Sequence, residues 1–228
     1  MEILKVIVFY LVTYPIAGNV IGGAVELFWF SGFWRVNGRE NFPKESGKIV
    51  LVSNHPGIIE TVLVPGLFRP HYTFSPKYMP RILANKRSVF HTWWAMLTWI
   101  VWPVFIFVGK KRNAGDSWSL VSAEAHLDSG GNIVIFPEGA RTDKVTKGQR
   151  GNRHLYSRDG NRKIKPLRNG FTHLVSMPGV RMVPVWVDSS TKTVRVGCPR
   201  KFSGVDHKEI LLQTQNILLE LPHEVVYG

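Results

Sequence analysis

Two short polar segments contain side chains whose types and spacing suit acid–base chemistry. In the first, residues 54–60 (NHPGIIE), His55 precedes Glu60 by five positions. A carboxylate at that spacing can accept the N–H of the imidazole, fix its tautomer and stabilise the charge that develops as the ring takes a proton. Neither a serine nor a cysteine has a clear place beside this pair as a nucleophile. The segment therefore predicts direct base catalysis on a substrate hydroxyl, with a structural histidine as the alternative.

The second segment, residues 136–141 (FPEGAR), carries groups that suit an anionic substrate. Arg141 presents a planar fork of donors that can bind a phosphate through two hydrogen bonds. Glu138 can bind a substrate hydroxyl or hold Arg141 in place, and Gly139 permits a tight turn or the close approach of a ligand. A surface turn with an incidental ion pair is the alternative for this segment alone. Together, the two segments predict the layout of an enzyme.

Each polar segment follows an apolar run that predicts a buried strand, residues 48–53 and residues 132–136. Strands of an open α/β sheet present their functional loops at their carboxyl ends, so this order favours a common site. Pro56 suits the first position of a helix predicted over residues 57–68, with His55 near its N-cap. There the helix dipole disfavours a protonated ring, which favours a neutral base.

The rest of the chain alternates predicted strands and helices. Further strands are predicted at residues 104–108, 181–187 and 193–197. Further helices are predicted at residues 93–102, 117–129, 170–177 and 206–221. This alternation predicts an α/β fold with a mostly parallel sheet flanked by helices. We divide the chain into an N-terminal membrane-associated helical segment, residues 1–34, and one catalytic domain, residues 35–228.

The N-terminal segment predicts membrane attachment. Residues 6–25 are 20 consecutive residues without a charge, enough to cross a hydrocarbon core of about 30 Å as a helix. Pro15 and nearby glycines favour a kinked or re-entrant segment, so a full span and insertion into one leaflet both stay open. The cations that follow the run place the catalytic domain on the cytoplasmic face. A second apolar stretch, residues 93–108, is either a core helix and strand or a face at the bilayer interface.

The charge balance predicts an anionic partner. The chain has 29 Lys and Arg residues against 16 Asp and Glu, a formal net charge of +13. Its aromatic residues lie in apolar runs and are not interleaved with cations, which disfavours nucleic acid. Cys198 is the single cysteine, which excludes an internal disulfide and favours a reducing compartment.

A basic loop is predicted at residues 144–168, where nine cations face one acid, Asp159. Its glycine and asparagine content and its lack of periodicity argue against a packed element. A loop of this length in a compact domain is usually functional or disordered. We expect it to contact anionic lipid or substrate phosphates, with a solvated surface as the alternative.

The order of several blocks resembles the phospholipid/glycerol acyltransferase family, whose best-known members are lysophosphatidic acid acyltransferases. The resemblance is carried by residues 54–60 and 136–141, together with the lead-in GRENFP (38–43), the basic block FVGKKR (107–112) and the strand residues VPV (183–185). The chain departs from the family pattern at Glu60, where Asp is usual, and at Ala140, where Thr is usual. Its basic loop is also longer than usual.

The resemblance implies roles for individual residues. It makes His55 the base that deprotonates the acceptor hydroxyl and Glu60 its acidic partner. It implies a substrate-binding role for seven further residues: Lys110, Arg112, Glu138, Gly139, Arg141, Arg168 and Pro184. Backbone N–H groups near His55 or Gly139 are candidates for stabilising the tetrahedral oxyanion. No metal and no cofactor is expected, because the thioester co-substrate supplies the driving force.

The implied function is membrane-bound O-acyl transfer from acyl-CoA or acyl carrier protein to the hydroxyl of a lysophospholipid, with 1-acyl-glycerol-3-phosphate as the favoured acceptor, in phospholipid biosynthesis. Membrane phospholipids, the lysophospholipid and the thioester are the expected partners. The alternatives are a catalytically silent lipid-binding protein on the same fold and an acyltransferase for another lipid acceptor. Acyl-chain length, donor type, acceptor headgroup and oligomeric state are left open.

Overall fold

A computed structural model describes residues 7–57, 59–85, 105–108, 115–139 and 154–221. Its main element is a seven-stranded sheet. The described residues form the strands β1 (Arg35–Asn37), β2 (Ile49–Ser53), β3 (Arg81–Asn85), β4 (Phe105–Val108), β5 (Ile133–Ile135), β6 (Leu155–Tyr156), β7 (Lys163–Ile164), β8 (Arg181–Asp188) and β9 (Thr193–Val196), of which β6 and β7 form a separate hairpin. The helices are a π-helix (Phe9–Ile21), α1 (Gly22–Phe30), α2 (Glu60–Gly66), α3 (Arg69–Tyr72), α4 (Gly115–Asp128), α5 (Gly170–Val175) and α6 (His207–Glu220), with short 3₁₀ turns at Arg39–Asn41 and Pro76–Tyr78.

The sheet has the order β1-β9-β8-β2-β5-β3-β4. Every pairing is parallel except that of β8 with β9, so five strands run in one direction. The carboxyl ends of β2, β5 and β8 therefore lie at the same edge of the sheet. The predicted α/β fold with a mostly parallel sheet flanked by helices is confirmed.

The central strand β2 explains why the core lies on both faces of the sheet. All five of its residues, IVLVS, are buried, as expected of a parallel strand covered on both sides. Ile49 and Leu51 belong to a hydrophobic cluster with Leu63 of α2, whereas Val50 and Val52 belong to a cluster with α4, α5 and α6. This alternation follows from the two-residue period of a strand, and it fixes the direction in which β2 delivers the residues that follow it.

The helix predicted over residues 57–68 was placed too early. The helix α2 begins at Glu60, and Pro56 and Gly57 lie in a bend before it. The Glu60 side chain accepts a hydrogen bond from the backbone N–H of Gly57 at 2.9 Å, which stabilises the bend. His55 is therefore not at a helix N-cap, and the argument that a helix dipole keeps its ring neutral does not apply.

The basic loop is only partly described, and its described half is not an unpacked loop. Residues 155–164 form the antiparallel hairpin of β6 and β7, in which Leu155 pairs with Ile164. The side chains of Ile164 and Leu167 are buried in the core cluster on the α4 face. The prediction of no packed element is wrong here because two apolar residues among the cations anchor the segment.

The N-terminal helical segment, Phe9–Phe30, is long and apolar enough to cross a membrane by length and composition. Pro15 lies inside its π-helical part, where the missing N–H interrupts a regular α-helical ladder. One side of the segment packs on the domain, with Val25 2% exposed, while Leu11, Phe30 and other large apolar residues are exposed on the other side. The boundary predicted at residue 34 stays a prediction, as does the helix predicted over residues 93–102, which lies outside the described residues.

Candidate active site

The structure brings together the two residues predicted to perform the chemistry. Nδ1 of His55 and Oε1 of Glu60 form a hydrogen bond. The Glu60 side chain is completely buried, whereas the His55 side chain is 19% exposed. Nε2 of His55 lies on the opposite side of the ring from Glu60. The pair thus combines a fixed, buried carboxylate with a ring that a substrate can reach.

The buried carboxylate of Glu60 has a second function in its own loop. Oε1 also accepts the N–H of Gly57, and within the described residues Oε2 has no hydrogen-bond partner. Glu60 lies in the first turn of α2, where the peptide dipoles favour a carboxylate. Burying a carboxylate with one oxygen unpaired lowers the stability of the fold, so its presence here is more typical of a functional group than of a structural one.

Asn54, which the sequence analysis did not assign, fixes the start of this loop. Its side-chain amide donates to the carbonyl of Val187 at 2.9 Å and accepts the N–H of the same residue at 2.7 Å. The amide thereby continues the pairing of β2 with β8 one residue beyond the last strand residue. His55 is therefore delivered from a backbone that is held on both sides. A side-chain amide directly after a buried strand is the signal in the sequence that could have revealed this role.

Glu138 is buried and joins the His55 loop to the basic hairpin. One of its carboxylate oxygens accepts the backbone N–H of His55 at 2.8 Å, and the other accepts the backbone N–H of Lys165 at 2.9 Å. The ring of Phe136, two residues before Glu138, packs against the His55 ring at a centroid distance of 4.9 Å. The described contacts of Glu138 are thus with backbone groups, and its predicted contact with substrate stays a prediction.

Gly139 and Arg168 lie against each other at the end of this loop. Gly139 has a φ of +66°, and a Cβ added to it would lie 2.5 Å from the guanidinium carbon of Arg168. The backbone N–H of Arg168 donates to the carbonyl of Pro137 at 2.9 Å. The absence of a side chain at Gly139 therefore allows an exposed cation to lie over the turn that holds Glu138.

Pro184 lies in the interior of β8, level with Val52, and is buried. Its carbonyl accepts the N–H of Gly197, and the next described pair toward the start of β8 is Met182 with Arg200. Pro184, which has no N–H to donate, thus lies between the β8–β9 pairing, which begins at Val185, and the isolated bridge at Met182. This position accounts for Pro184 in packing terms, and its predicted role at the substrate stays a prediction.

Three predicted substrate-binding residues, Lys110, Arg112 and Arg141, lie outside the described residues. The predicted oxyanion donors can be examined in part. The backbone N–H groups of His55, Gly57 and Gly139 donate to Glu138, Glu60 and Phe136, respectively. None of these three N–H groups is available for an oxyanion in this arrangement, because each is engaged within the fold.

An apolar pocket of about 160 Å³ lies beside α2. Thr61 and Val62, which follow Glu60 directly, line it together with Ile21 and Gly22 of the N-terminal segment and Tyr72 of α3. Burial raises the pKa of Tyr72 to about 12, so its hydroxyl stays protonated and donates to the carbonyl of Gly18 at 3.3 Å. The pocket places apolar surface within one helical turn of the buried carboxylate.

This arrangement can remove a proton from a hydroxyl group. The carboxylate of Glu60 accepts the hydrogen bond from Nδ1–H of His55, which fixes the tautomer in which Nε2 can accept a proton. The ring is partly exposed, so a substrate can approach it. The apolar pocket and the exposed Arg168 lie on elements adjoining this pair. The described residues therefore support base catalysis by His55 on a substrate that has an apolar part, which the pocket can hold, and an anionic part, which Arg168 can bind.

Comparison with known proteins agrees with this chemistry. The model of the acyltransferase family matches residues 34–188, which is more than half of the chain and contains His55, Glu60, Glu138 and Pro184. A comparison with curated proteins gave no match. The chain therefore belongs to the phospholipid/glycerol acyltransferase family and is an acyltransferase of lipid synthesis.

Proposed function

We propose that this acyltransferase moves a fatty acyl chain from a thioester, acyl-CoA or acyl carrier protein, to the hydroxyl of a lysophospholipid, with 1-acyl-glycerol-3-phosphate as the acceptor. The observation that carries the proposal is the hydrogen bond between the part-exposed His55 ring and the completely buried carboxylate of Glu60. A solvent-accessible base with a fixed tautomer suits a hydroxyl acceptor, and Glu60, which also accepts the N–H of Gly57, supplies the carboxylate that fixes the tautomer.

In the proposed reaction the base is Nε2 of His55, the ring nitrogen that does not contact Glu60. As the acceptor oxygen attacks the thioester carbonyl carbon, its proton passes to Nε2 of His55, and Glu60 stabilises the imidazolium. The tetrahedral intermediate then collapses with cleavage of the C–S bond. The leaving thiolate takes the proton back from His55, so that the products are an ester and a free thiol and the enzyme returns to its starting state.

The apolar pocket beside α2 supports an acyl substrate. It is lined mainly by apolar side chains, and its lining includes Thr61, the residue directly after Glu60. An acyl chain inserted there would bury its methylene groups, each of which contributes about 0.8 kcal/mol. We propose that the pocket holds the acyl chain of the donor while the thioester carbon lies near His55.

Arg168 supports an anionic acceptor. Its guanidinium lies over Gly139, and its backbone is joined to the carbonyl of Pro137. The hairpin that precedes it adds further cations on the same segment, including Arg158 and Lys163. We propose that Arg168, with Lys110, Arg112 and Arg141, binds the acceptor phosphate, and that the hairpin also contacts anionic lipid.

The N-terminal segment supports a membrane site of action. Its outward side exposes large apolar residues, among them Leu11 at 72% and Phe30 at 81%. We propose that this side contacts the hydrocarbon of the leaflet from which the lysophospholipid is taken, with the catalytic domain on the cytoplasmic face. Such a position would let the acceptor reach His55 without leaving the membrane.

The test is acyl transfer by the purified protein. The protein is incubated with a labelled acyl thioester and a panel of lysophospholipids, and the lipid products are resolved. We expect a new diacyl product with the wild-type protein and a fall of at least about a hundredfold for His55→Ala. Near-normal transfer by that variant, with unchanged folding, would exclude His55 as the base. A wild-type protein that binds liposomes but transfers no acyl group would favour a silent lipid-binding protein.

A further inference from the structure

We infer that Glu26 is a positioning residue that fixes α1 against the catalytic domain and thereby keeps the wall of the apolar pocket in place. Glu26 lies outside the residues that the family model matches. The inference depends on the proposed acyl transfer, because its consequence is a change in selectivity for acyl chains.

Glu26 is the single charged residue in the helical segment Phe9–Phe30. Its carboxylate binds two arginines of the catalytic domain: Oε2 accepts from Nη1 of Arg69, and Oε1 accepts from Nη2 of Arg39 at 3.4 Å. The Glu26 side chain is only 18% exposed. Burying a charge on an apolar helix costs free energy unless the charge is paired, so we infer that Glu26 is present to bind these arginines.

The two arginines connect α1 to different parts of the domain. Arg69 begins α3, and its side chain lies along the backbone of α1 at Gly22 and Gly23. Arg39 follows β1, and its guanidinium also lies 5.2 Å from the ring centroid of Trp29 on α1. Glu26 therefore joins α1 both to the helical layer and to the edge of the sheet.

Glycine contacts bring the helices close together at the same place. A Cβ added to Gly66 at the end of α2 would lie 2.7 Å from Cγ1 of Val25, and one added to Gly22 would lie 2.6 Å from Oη of Tyr72. Since α1 lies directly on α2 and α3, it has little freedom to move while the ion pairs hold. Loss of the Glu26 charge removes the attraction that balances the partial desolvation of Arg69, whose side chain is 24% exposed.

The geometry of the pocket follows from this packing. One wall is formed by Ile21, the last residue of the π-helix, and Gly22, the first residue of α1, and Thr61, Pro65 and Gly66 of α2 also line the pocket. A small movement of α1 changes the width of the pocket but leaves the His55–Glu60 pair in place. Glu26 should therefore affect how well a long acyl chain is held, and not the chemical step itself.

The experiment compares Glu26→Gln with the wild type, using acyl-CoA and acyl carrier protein donors of increasing length from butyryl to palmitoyl. We expect kcat/KM for the longest donor to fall about tenfold and that for the shortest to fall less than about twofold, since misplacement by about 1 Å can cost up to about a hundredfold. Arg69→Met should shift the ratio in the same direction. The double variant should add little to Glu26→Gln, because the Glu26–Arg69 ion pair is already lost in that variant.

Glu45→Gln is the matched control, because it removes an exposed glutamate that pairs with Arg181 at 2.9 Å and does not line the apolar pocket. Folding is checked for every variant by denaturant unfolding in detergent. A role in stability alone would lower the rates of all donors in the same proportion. An unchanged ratio of long-chain to short-chain kcat/KM in Glu26→Gln, with an active wild type, would therefore overturn the positioning role alone. A wild type that is inactive with every donor would overturn the proposed function and this inference with it.

Discussion

Glu60→Gln tests whether the buried carboxylate has an electrostatic role. The change keeps the size of the side chain but removes its charge. The amide oxygen must stay at the position of Oε1 to accept the N–H of Gly57 at 2.9 Å. Its NH₂ group then falls at the position of Oε2, which has no hydrogen-bond partner among the described residues. The variant should therefore keep the loop and lose the negative charge beside His55.

The size of the effect can be estimated from Coulomb's law. A unit positive charge about 4 Å from the carboxylate gains about 4 kcal/mol at an effective dielectric constant of about 20. With the proton about half transferred in the transition state, about 2 kcal/mol is lost in the variant, which corresponds to about 30-fold in kcat. If the amide instead donates to Nδ1, the ring takes the wrong tautomer, and the loss can reach about 10⁴-fold.

The assay is the steady-state rate of acyl transfer with saturating donor and acceptor. We expect kcat of Glu60→Gln to fall at least about 30-fold and KM for both substrates to change little, because the carboxylate is completely buried behind the His55 ring. Glu209→Gln, which removes a carboxylate from the first turn of the surface helix α6, is the matched control. A kcat within about threefold of the wild type, in a variant with an unchanged unfolding transition, would refute the pairing of Glu60 with His55 in catalysis.

Three further predictions concern the supports of the site. Glu138→Gln replaces one accepting oxygen with a donor, so one of its two backbone hydrogen bonds is lost, and we expect the free energy of unfolding in denaturant to fall by about 1–3 kcal/mol; a change below about 0.5 kcal/mol would contradict this. Gly139→Ala introduces a Cβ at a φ of +66° beside Arg168, and the KM for the acceptor should rise about tenfold while the donor KM stays constant. Burial, with a contribution from a nearby cation, lowers the pKa of His126 to about 4 from its ordinary value of 6.5, so the unfolded chain binds more protons between these two values and stability falls as the pH falls through them. The free energy of unfolding of the wild type should therefore fall between pH 7 and pH 4.5, and His126→Gln should reduce that fall by up to about 3 kcal/mol, as measured by denaturant unfolding at both pH values. An equal pH dependence in the two proteins would contradict the role of His126 in this loss of stability.

Glu138 offers a physical route between the anion-binding segment and the base. Its two oxygens accept the N–H groups of His55 and Lys165, which lie 110 positions apart in the sequence, since 165 − 55 = 110. A displacement of the hairpin would therefore be transmitted to the backbone of His55. Through these hydrogen bonds Glu138 holds the backbone of His55 in place.

Much of the fold could be predicted from the sequence because its strands are strongly patterned. The apolar runs that became β2, β5 and β8 are short, continuous and rich in β-branched residues, which is typical of buried parallel strands. The strand β9 was also predicted, although it contains Arg195. The short edge strand β1 and the strand β3 were missed, because RVN and RILAN carry polar residues that hide their extended conformation. Their pairing is decided by neighbouring strands rather than by their own propensity.

The sequence by itself determined the pair of His55 and Glu60, since five positions in one chain already bring a ring and a carboxylate within reach. It also determined the family, because the order of the blocks is a property of the chain alone. Only the tertiary structure decided that Asn54 is joined to Val187, that Glu138 holds the backbone of Lys165, and that Glu26 binds Arg69. These contacts join residues that are distant in sequence, and no local pattern encodes which partner a buried polar group will meet.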